Sequence, residues 1–295
     1  MNAGVGETET RMDIITWNIQ WGRGIDGRVD LARIVEHARA LADFDVLCLQ
    51  EVSAGYPDLP GCDGADQFHE LAALLPGYTA IAGCATNIPR ADGGRRAFGN
   101  MMLTRLPVRQ VLRHLLPWPA DPSVPSMQRM ALEATLETPL GLLRLTTTHL
   151  EYYSAVQRMA QIERLRALHQ EAVGHARGAA PAKDAEGPFA PQPRAASAIL
   201  MGDFNMLPDS PEYARLLAPF EDGVTPPYLD AWRVAHPGTA HAPTVGVYDK
   251  KQWPEPSFAY DFMLVSQDLG VRIRGLLADQ SSAASDHQAL WLQLA

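Results

Sequence analysis

An α/β chain forming one large domain, with short buried strands alternating with amphipathic helices, is the architecture this sequence predicts. Three observations carry that expectation. A strand-then-helix pattern occurs near the start and recurs later, with antiparallel strand candidates between. Apolar residues make up 46% of 295 positions, enough to bury a sizeable core. No fixed-period repeat appears, and although a guide of roughly 150 residues per domain suggests two, a large sandwich absorbs such a length as one. The expected organisation is therefore a flexible polar segment over 1–11 and a single domain over 12–295.

The elements follow in order. Asp13-Ile14-Ile15-Thr16-Trp17-Asn18-Ile19 reads as a β-rich strand, and Gly22, Gly24 and Gly27 supply turn material. Asp30 is placed to cap a helix through Leu41, with Leu31, Ile34, Val35 and Ala38 on one face. Phe44 to Leu49 is a buried strand that ends at Gln50 and Glu51. Strands are expected over 98–103, 130–137 and 142–148, the last two joined by the hairpin turn Thr138-Pro139-Leu140-Gly141. Ile162, Leu165, Leu168 and Ala172 predict a helix from Ala155 to Val173. Residues 174–197, rich in Ala, Pro and Gly, read as a mobile loop or insertion. Ala198 to Met201 and Tyr260 to Ser266 are further strands, and Pro-rich stretches at 225–227, 237–243 and 254–256 mark loops of the kind that carry selectivity.

Charge narrows the function classes. With 25 Lys and Arg against 34 Asp and Glu, the formal charge is −9, which argues against broad unassisted binding to DNA. An acidic pocket holding a divalent cation still attracts phosphate locally, so polyanionic substrates are not excluded. Three cysteines without zinc spacing fit a reducing interior better than a disulfide framework. The start carries no signal pattern and no stretch approaches the ~20 apolar residues of a membrane helix. A cytoplasmic protein is expected.

Chemistry-bearing residues sit at the ends of apolar strands: Asn18, Glu51, His149, Asp203 with Asn205, Asp261, and Asp286-His287. Strand ends on one rim bring distant residues together on rigid supports. Hard divalent cations such as Mg²⁺ prefer oxygen ligands and take one or two carboxylates plus a substrate phosphate, a task that suits Glu51 and Asp286. Asp203 is then free to polarise water, with Asn205 holding that water or the phosphate. His149 and His287 can donate to nonbridging oxygens, and Asp261 on the His287 imidazole would orient it and favour its protonated form.

In order, Thr16-Trp17-Asn18, Leu49-Gln50-Glu51-Val52, Thr148-His149-Leu150, Gly202-Asp203-Phe204-Asn205, Tyr260-Asp261-Phe262 and Ser285-Asp286-His287 resemble the motifs of the endonuclease/exonuclease/phosphatase superfamily. The resemblance runs from about residue 12 to the C-terminus, interrupted chiefly by 174–197. It implies a four-layered αββα sandwich of two mixed sheets flanked by helices, and a Mg²⁺- or Mn²⁺-dependent site that cleaves a phosphate ester by water attack. It also implies that Asn18, Glu51 and Asp286 form the metal neighbourhood. Asp203 then activates water, Asn205 positions it, His149 and His287 stabilise the phosphate, and Asp261 orients His287. Phe98-Gly99-Asn100 resembles a strand near the family's pocket. Gln20 departs from the pattern: several DNA-repair members carry an aspartate there, so this chain resembles the broad bacterial branch with a one-metal site.

A phosphodiester is the expected substrate, with a DNA or RNA nuclease as the alternative and a noncatalytic phosphate-binding protein as the rival from another class. Arg129 and Arg158 are candidates to grip phosphate, each equally suited to an ordinary salt bridge. Tyr152 and Tyr153 are placed to flank the pocket and stack on a base or apolar group. Trp118, Trp253 and Phe258 are scattered aromatics that a lipid substrate would need on one rim.

Overall fold

The computed structural model describes residues 11–178 and 186–295; the expected flexibility of the N-terminal segment falls almost wholly outside them, as does the middle of the 174–197 segment. Twelve strands form two six-stranded mixed sheets. In the first, β1 (Met12–Asn18) and β2 (Val46–Ala54) run parallel, linked by helix α1 (Leu31–Leu41). Helix α2 (Gln67–Leu74) follows, then β4 (Arg95–Thr104) pairs antiparallel with β2 and β3 (Thr79–Pro89) pairs antiparallel with β4 at the edge of that sheet. In the second, β5 (Val108–Leu115), β6 (Met130–Thr138) and β7 (Gly141–His149) form a meander. Helix α3 (Ala155–Arg177) then crosses to β8 (Ala198–Asp203), which lies parallel to β7. Helix α4 (Pro211–Leu217), β9 (Tyr228–Asp230), helix α5 (Ala231–Ala235) and β10 (Asp261–Ser266) complete that half. The chain returns to the first sheet through β11 (Ile273–Ala278) and β12 (Leu290–Leu294), and β12 pairs antiparallel with β1.

Period-two burial explains the layers. Ile14, Val46, Cys48, Leu145, Ile199, Met201 and Met263 meet between the sheets. Their chain neighbours Ile15, Leu47 and Leu49 pack on α1 and α2, and Leu200 and Leu264 pack against Ile162 and Leu165 of α3. Strands buried on both faces read as continuous apolar runs for this reason. The result is a four-layered αββα sandwich.

Local signals act as expected at several points. Asp30 accepts from Arg33 N at 3.0 Å and starts α1, whose Leu31, Ile34, Val35 and Ala38 are buried. Thr138 pairs with Gly141 across a two-residue turn, where Gly141 takes φ +99°. Several boundaries differ, among them the start of β4 at Arg95 and the end of β8 at Asp203, and two have a clear physical cause. Helix α3 runs to Arg177, beyond the expected Val173, because His175 and Arg177 suit a helix C-terminus and Gly174 is tolerated. Strand β2 does not stop at Glu51: its register shifts between Leu49 and Val52, a bulge that bends the strand and continues to Ala54. At the far end of the 174–197 segment, Arg194 reaches Glu133 at 3.1 Å and Ala195 is buried. Among the described residues, no helix is long and apolar enough to cross a membrane.

Candidate active site

Topology brings one end of four central strands to one rim. Parallel pairing places Asn18 opposite Gln50 and His149 opposite Asp203. Antiparallel pairing sets Asp261 opposite Asp203, while Asp286 and His287 precede β12 and so arrive where β1 ends. The buried Gln50 amide ties the halves together, donating to Thr16 Oγ1 at 3.0 Å in one sheet and Thr147 Oγ1 at 2.8 Å in the other.

The backbone is bent to suit the site. Gln20, Trp21, Glu51 and Asn205 are the non-glycine residues with positive φ among those described, and all four line a cavity of about 420 Å³ at this rim. Such conformations persist where the surroundings hold them. Asn18 Oδ1 accepts from Gln20 N at 3.1 Å, and Asp203 Oδ1 from Asn205 N at 2.9 Å. Gly202 takes φ +134° and a Cβ there would meet Thr148 O at 2.0 Å, so only glycine lets β8 approach β7 so closely.

Asp203 is the hub. Its Oδ2 accepts from Asn18 Nδ2 at 2.9 Å and lies 3.3 Å from His149 Nε2 and 3.8 Å from His287 Nε2. Asn18 Nδ2 also donates to Glu51 Oε1 at 3.1 Å. His287 Nδ1 meets Asp261 Oδ2 at 2.9 Å, and Asn205 Nδ2 donates to Leu150 O at 2.9 Å. Burial pushes Asp203 up to about 6, with the Asp261 carboxylate adding to the rise against the His287 charge. Burial, then the Asp286 carboxylate, pushes Glu51 up to about 7. Burial, helped by Arg129 and His287, holds His149 well below the usual imidazole value. Burial opposes the charged form of His287, yet the carboxylates of Asp261, Asp286 and Asp203 together carry it well above.

Crowded carboxylates with raised pKa values suit a cation, and two donor sets compete for that role. Ligand atoms of Asp203, Asp261 and His287 lie within 4.8 Å of one another. Both ring nitrogens of His287 already face carboxylates and the ring is held charged, so it has no lone pair to offer. Glu51 offers oxygen, opens onto the cavity with its side chain 19% exposed, and interacts with Asp286. The all-oxygen set around Glu51 and Asp286 is therefore the better match for a hard divalent cation.

The structure brings Asn18, Glu51, His149, Asp203, Asn205, Asp261, Asp286 and His287 together, and places Arg129 and Tyr152 in the cavity wall. Arg129 is paired with the fully buried Glu151 at 3.3 Å. Arg158 is not brought to the cavity: its guanidinium is taken by Glu212 at 3.0 Å and by the carbonyls of Glu151 and Tyr152. Asn100 lies behind the wall and donates to Met130 O at 3.3 Å. Sequence reasoning missed Gln252, whose Nε2 donates to Asp286 Oδ2 at 2.9 Å beside Trp253 Nε1 at 3.0 Å. Gln20, at the departure from the family pattern, donates to Gln252 Oε1 at 2.9 Å. No local signal marks Gln252, which arrives on a loop closed at its base by the Val245–Phe258 bridge. Trp118 is not at this rim; it bonds Ser126 Oγ at 2.9 Å, whereas Trp253 and Phe258 pack together.

Residues 15–287 match the model of the Endonuclease/Exonuclease/phosphatase family. The chain belongs to this family, whose members are hydrolases acting on phosphate esters. Among solved structures, an endonuclease/exonuclease/phosphatase from Beutenbergia cavernae is 24% identical, with 97% of this chain and 72% of that one covered at a TM-score of 0.67. A mannosyl-6-phosphatase from Bacteroides thetaiotaomicron is 16% identical, with 96% and 99% covered at 0.63. D. rerio TDP2 complexed with a single-strand DNA product is 18% identical, with 97% and 100% covered at 0.59. At these identities the likeness is one of fold. No curated protein matches the chain.

Proposed function

We propose that this protein is a divalent-metal-dependent phosphoesterase that hydrolyses a phosphodiester by direct attack of water. The observation that carries the reading is the convergence on Asp203 of Asn18, His149 and His287, the last backed by Asp261. Mg²⁺ or Mn²⁺, held by Glu51 and Asp286 with Asn18 fixing the Glu51 carboxylate, would supply Lewis acidity toward a phosphate oxygen.

Asp203 takes the proton of the attacking water. Its pKa of about 6 makes it a stronger base than an ordinary carboxylate while leaving it ionised at neutral pH. Asn205 fixes the geometry by gripping Asp203 through its backbone and Leu150 through its amide. The charged His287, oriented by Asp261, and the neutral His149 donate to the oxygens on which charge grows. No covalent enzyme intermediate is needed. A small diester is favoured over DNA or RNA, because Arg129 is the sole lysine or arginine lining the cavity among the described residues.

The test is hydrolysis of a small diester, a monoester, DNA and RNA with Mg²⁺, Mn²⁺ or chelator. Asp203→Asn is expected to lose turnover by ~10³-fold or more while keeping its fold, as loss of a general base does. Wild-type-like turnover of that variant at saturating metal refutes the assignment.

A further inference from the structure

Part of the cavity wall is aromatic, with Tyr152, Tyr153, Trp253 and Tyr260 among its lining residues and Trp253 Nε1 donating to Asp286 Oδ2 at 3.0 Å. Tyr152 lies with its ring centroid 4.7 Å from Tyr153, 6.2 Å from Trp253 and 6.5 Å from Tyr260, at interplanar angles of 87°, 70° and 66°. Phe258 braces Trp253 at 5.6 Å and Tyr260 at 4.5 Å from behind. These contacts of Tyr152 are edge-to-face, so none of the three is a flat stack on its ring. Tyr152 and Tyr153 are 38% and 57% exposed. Large aromatics left open at the mouth of a buried polar site are an unusual use of apolar surface.

Charge sets the other half of the argument. Arg129 is already paired with Glu151, and His287 lies beside Asp261 and Asp203, so among the described lining residues no arginine, lysine or charged histidine is left without a carboxylate partner. Of the arginines nearby, Arg96 is paired with Asp58 and Arg95 with Asn87, while Arg23 donates to Gln20 Oε1 at 3.3 Å. Proteins that hold single-stranded nucleic acid combine stacking rings with a basic groove. Here the rings are present, while Arg129 is the one lysine or arginine lining the cavity among the described residues.

From this juxtaposition we infer that the substrate is a small phosphate ester carrying one planar aromatic group, seated against Tyr152, Trp253 and Tyr260, with a single phosphate at Asp203 and Glu51. The inference rests on the phosphoesterase reading for the seat of the phosphate. Recognition of the ring is separate from turnover. A substituted phenyl group and a nucleobase share the required chemistry.

The experiment is calorimetric binding of non-hydrolysable phosphonates to the Mg²⁺-saturated protein, which reads the ring subsite without requiring catalysis. Phenylphosphonate is expected to bind about tenfold tighter than methylphosphonate and several-fold tighter than cyclohexylphosphonate, the scale of one stacking contact. In Tyr152→Leu, which keeps apolar bulk but not the ring, the phenyl preference should fall to within about threefold. Adenosine 5′-phosphonate against phenylphosphonate decides between a base and a simple aryl group. Equal binding of phenyl- and methylphosphonate overturns the inference, and so does an octathymidylate that binds tighter than every small ligand. Ring-selective binding without turnover of any ester removes the hydrolase reading and leaves the aromatic subsite standing as a ligand site.

Discussion

Replacing Asp261 with Asn tests the electrostatics of the site most directly. The pair with His287 is buried, the two side chains being 1% and 6% exposed, and its atoms are 2.9 Å apart. At an effective dielectric of ~20, two unit charges at that separation attract by about 6 kcal/mol, a gross term that burial partly offsets. Asp261 Oδ1 meets no donor, so the contact with His287 is the main compensation for burying this carboxylate. In the variant, the Asp286 and Asp203 carboxylates alone oppose burial, and His287 is expected to lose its proton at lower pH than in the wild type. The wild-type profile should rise through about 6 as Asp203 ionises and fall only well above 6.5 as His287 deprotonates. In Asp261→Asn the falling limb is expected to move to lower pH, and turnover at pH 8 to drop by as much as ~10²–10³-fold, the cost of one transition-state donor. The assay is the pH dependence of diester hydrolysis at saturating Mg²⁺, paired with an NMR titration of the His287 ring. A falling limb at the same pH in both proteins would refute the claim that Asp261 keeps His287 charged.

Other substitutions probe the cation site and the backbone. Glu51 titrates at about 7 against an ordinary 4.5, so the fold holds a proton that the unfolded chain releases, and apo stability falls as pH rises through that window. Glu51→Gln should therefore raise apo stability at pH 8 by on the order of 2 kcal/mol, with the gain fading by pH 4.5 and the Mg²⁺-induced rise in Tm abolished. Urea titrations in chelator at both pH values check this, and a variant less stable than wild type at pH 8 contradicts it. Gln252→Leu leaves Asp286 Oδ2 with Trp253 alone and is expected to weaken Mg²⁺ binding by ~10–100-fold without unfolding the protein; unchanged calorimetric affinity would deny Gln252 a positioning role. Gly202→Ala drives a methyl into Thr148 O and should destabilise by ~3 kcal/mol or more, so a loss under ~1 kcal/mol in urea would show that β7 and β8 can separate there.

The central strands were readable because burial on both faces makes them continuous apolar runs that stop at polar residues, as at Ile199-Leu200-Met201 before Asp203. Helix α1 was readable from its cap and one buried face. Edge strands β3 and β5 were not, since each is only partly buried and carries no clean alternation. Helices α2, α4 and α5 span eight, seven and five residues, too short for a periodic signal. At the site, side chains that end buried strands announced themselves in sequence. Gln252 did not, since its place depends on how a loop closes over Asp286, and the pairing of Arg158 with Glu212 depends on the packing of α3 on α4. The bulge at Glu51 was equally hidden, because Gln50-Glu51-Val52 carries no glycine to mark a positive φ.

The costs of this architecture are concentrated where the chemistry is proposed. Backbone conformations of the kind found at Gln20, Trp21, Glu51 and Asn205 cost of order ~1–3 kcal/mol each, and the same rim gathers ionisable groups that burial disfavours. Asn18 links the two kinds of strain: its oxygen holds the Gln20 amide, while its nitrogen holds Glu51 and Asp203. The kinked backbone and the crowded carboxylates therefore depend on one amide. Three apolar layers on either side of the sheets, and between them, supply the stability that the rim subtracts. The bend of β2 at Glu51 and the placing of Asp203 opposite Asp261 both cost stability, and both fit the proposed binding of a cation and uptake of a proton at this rim.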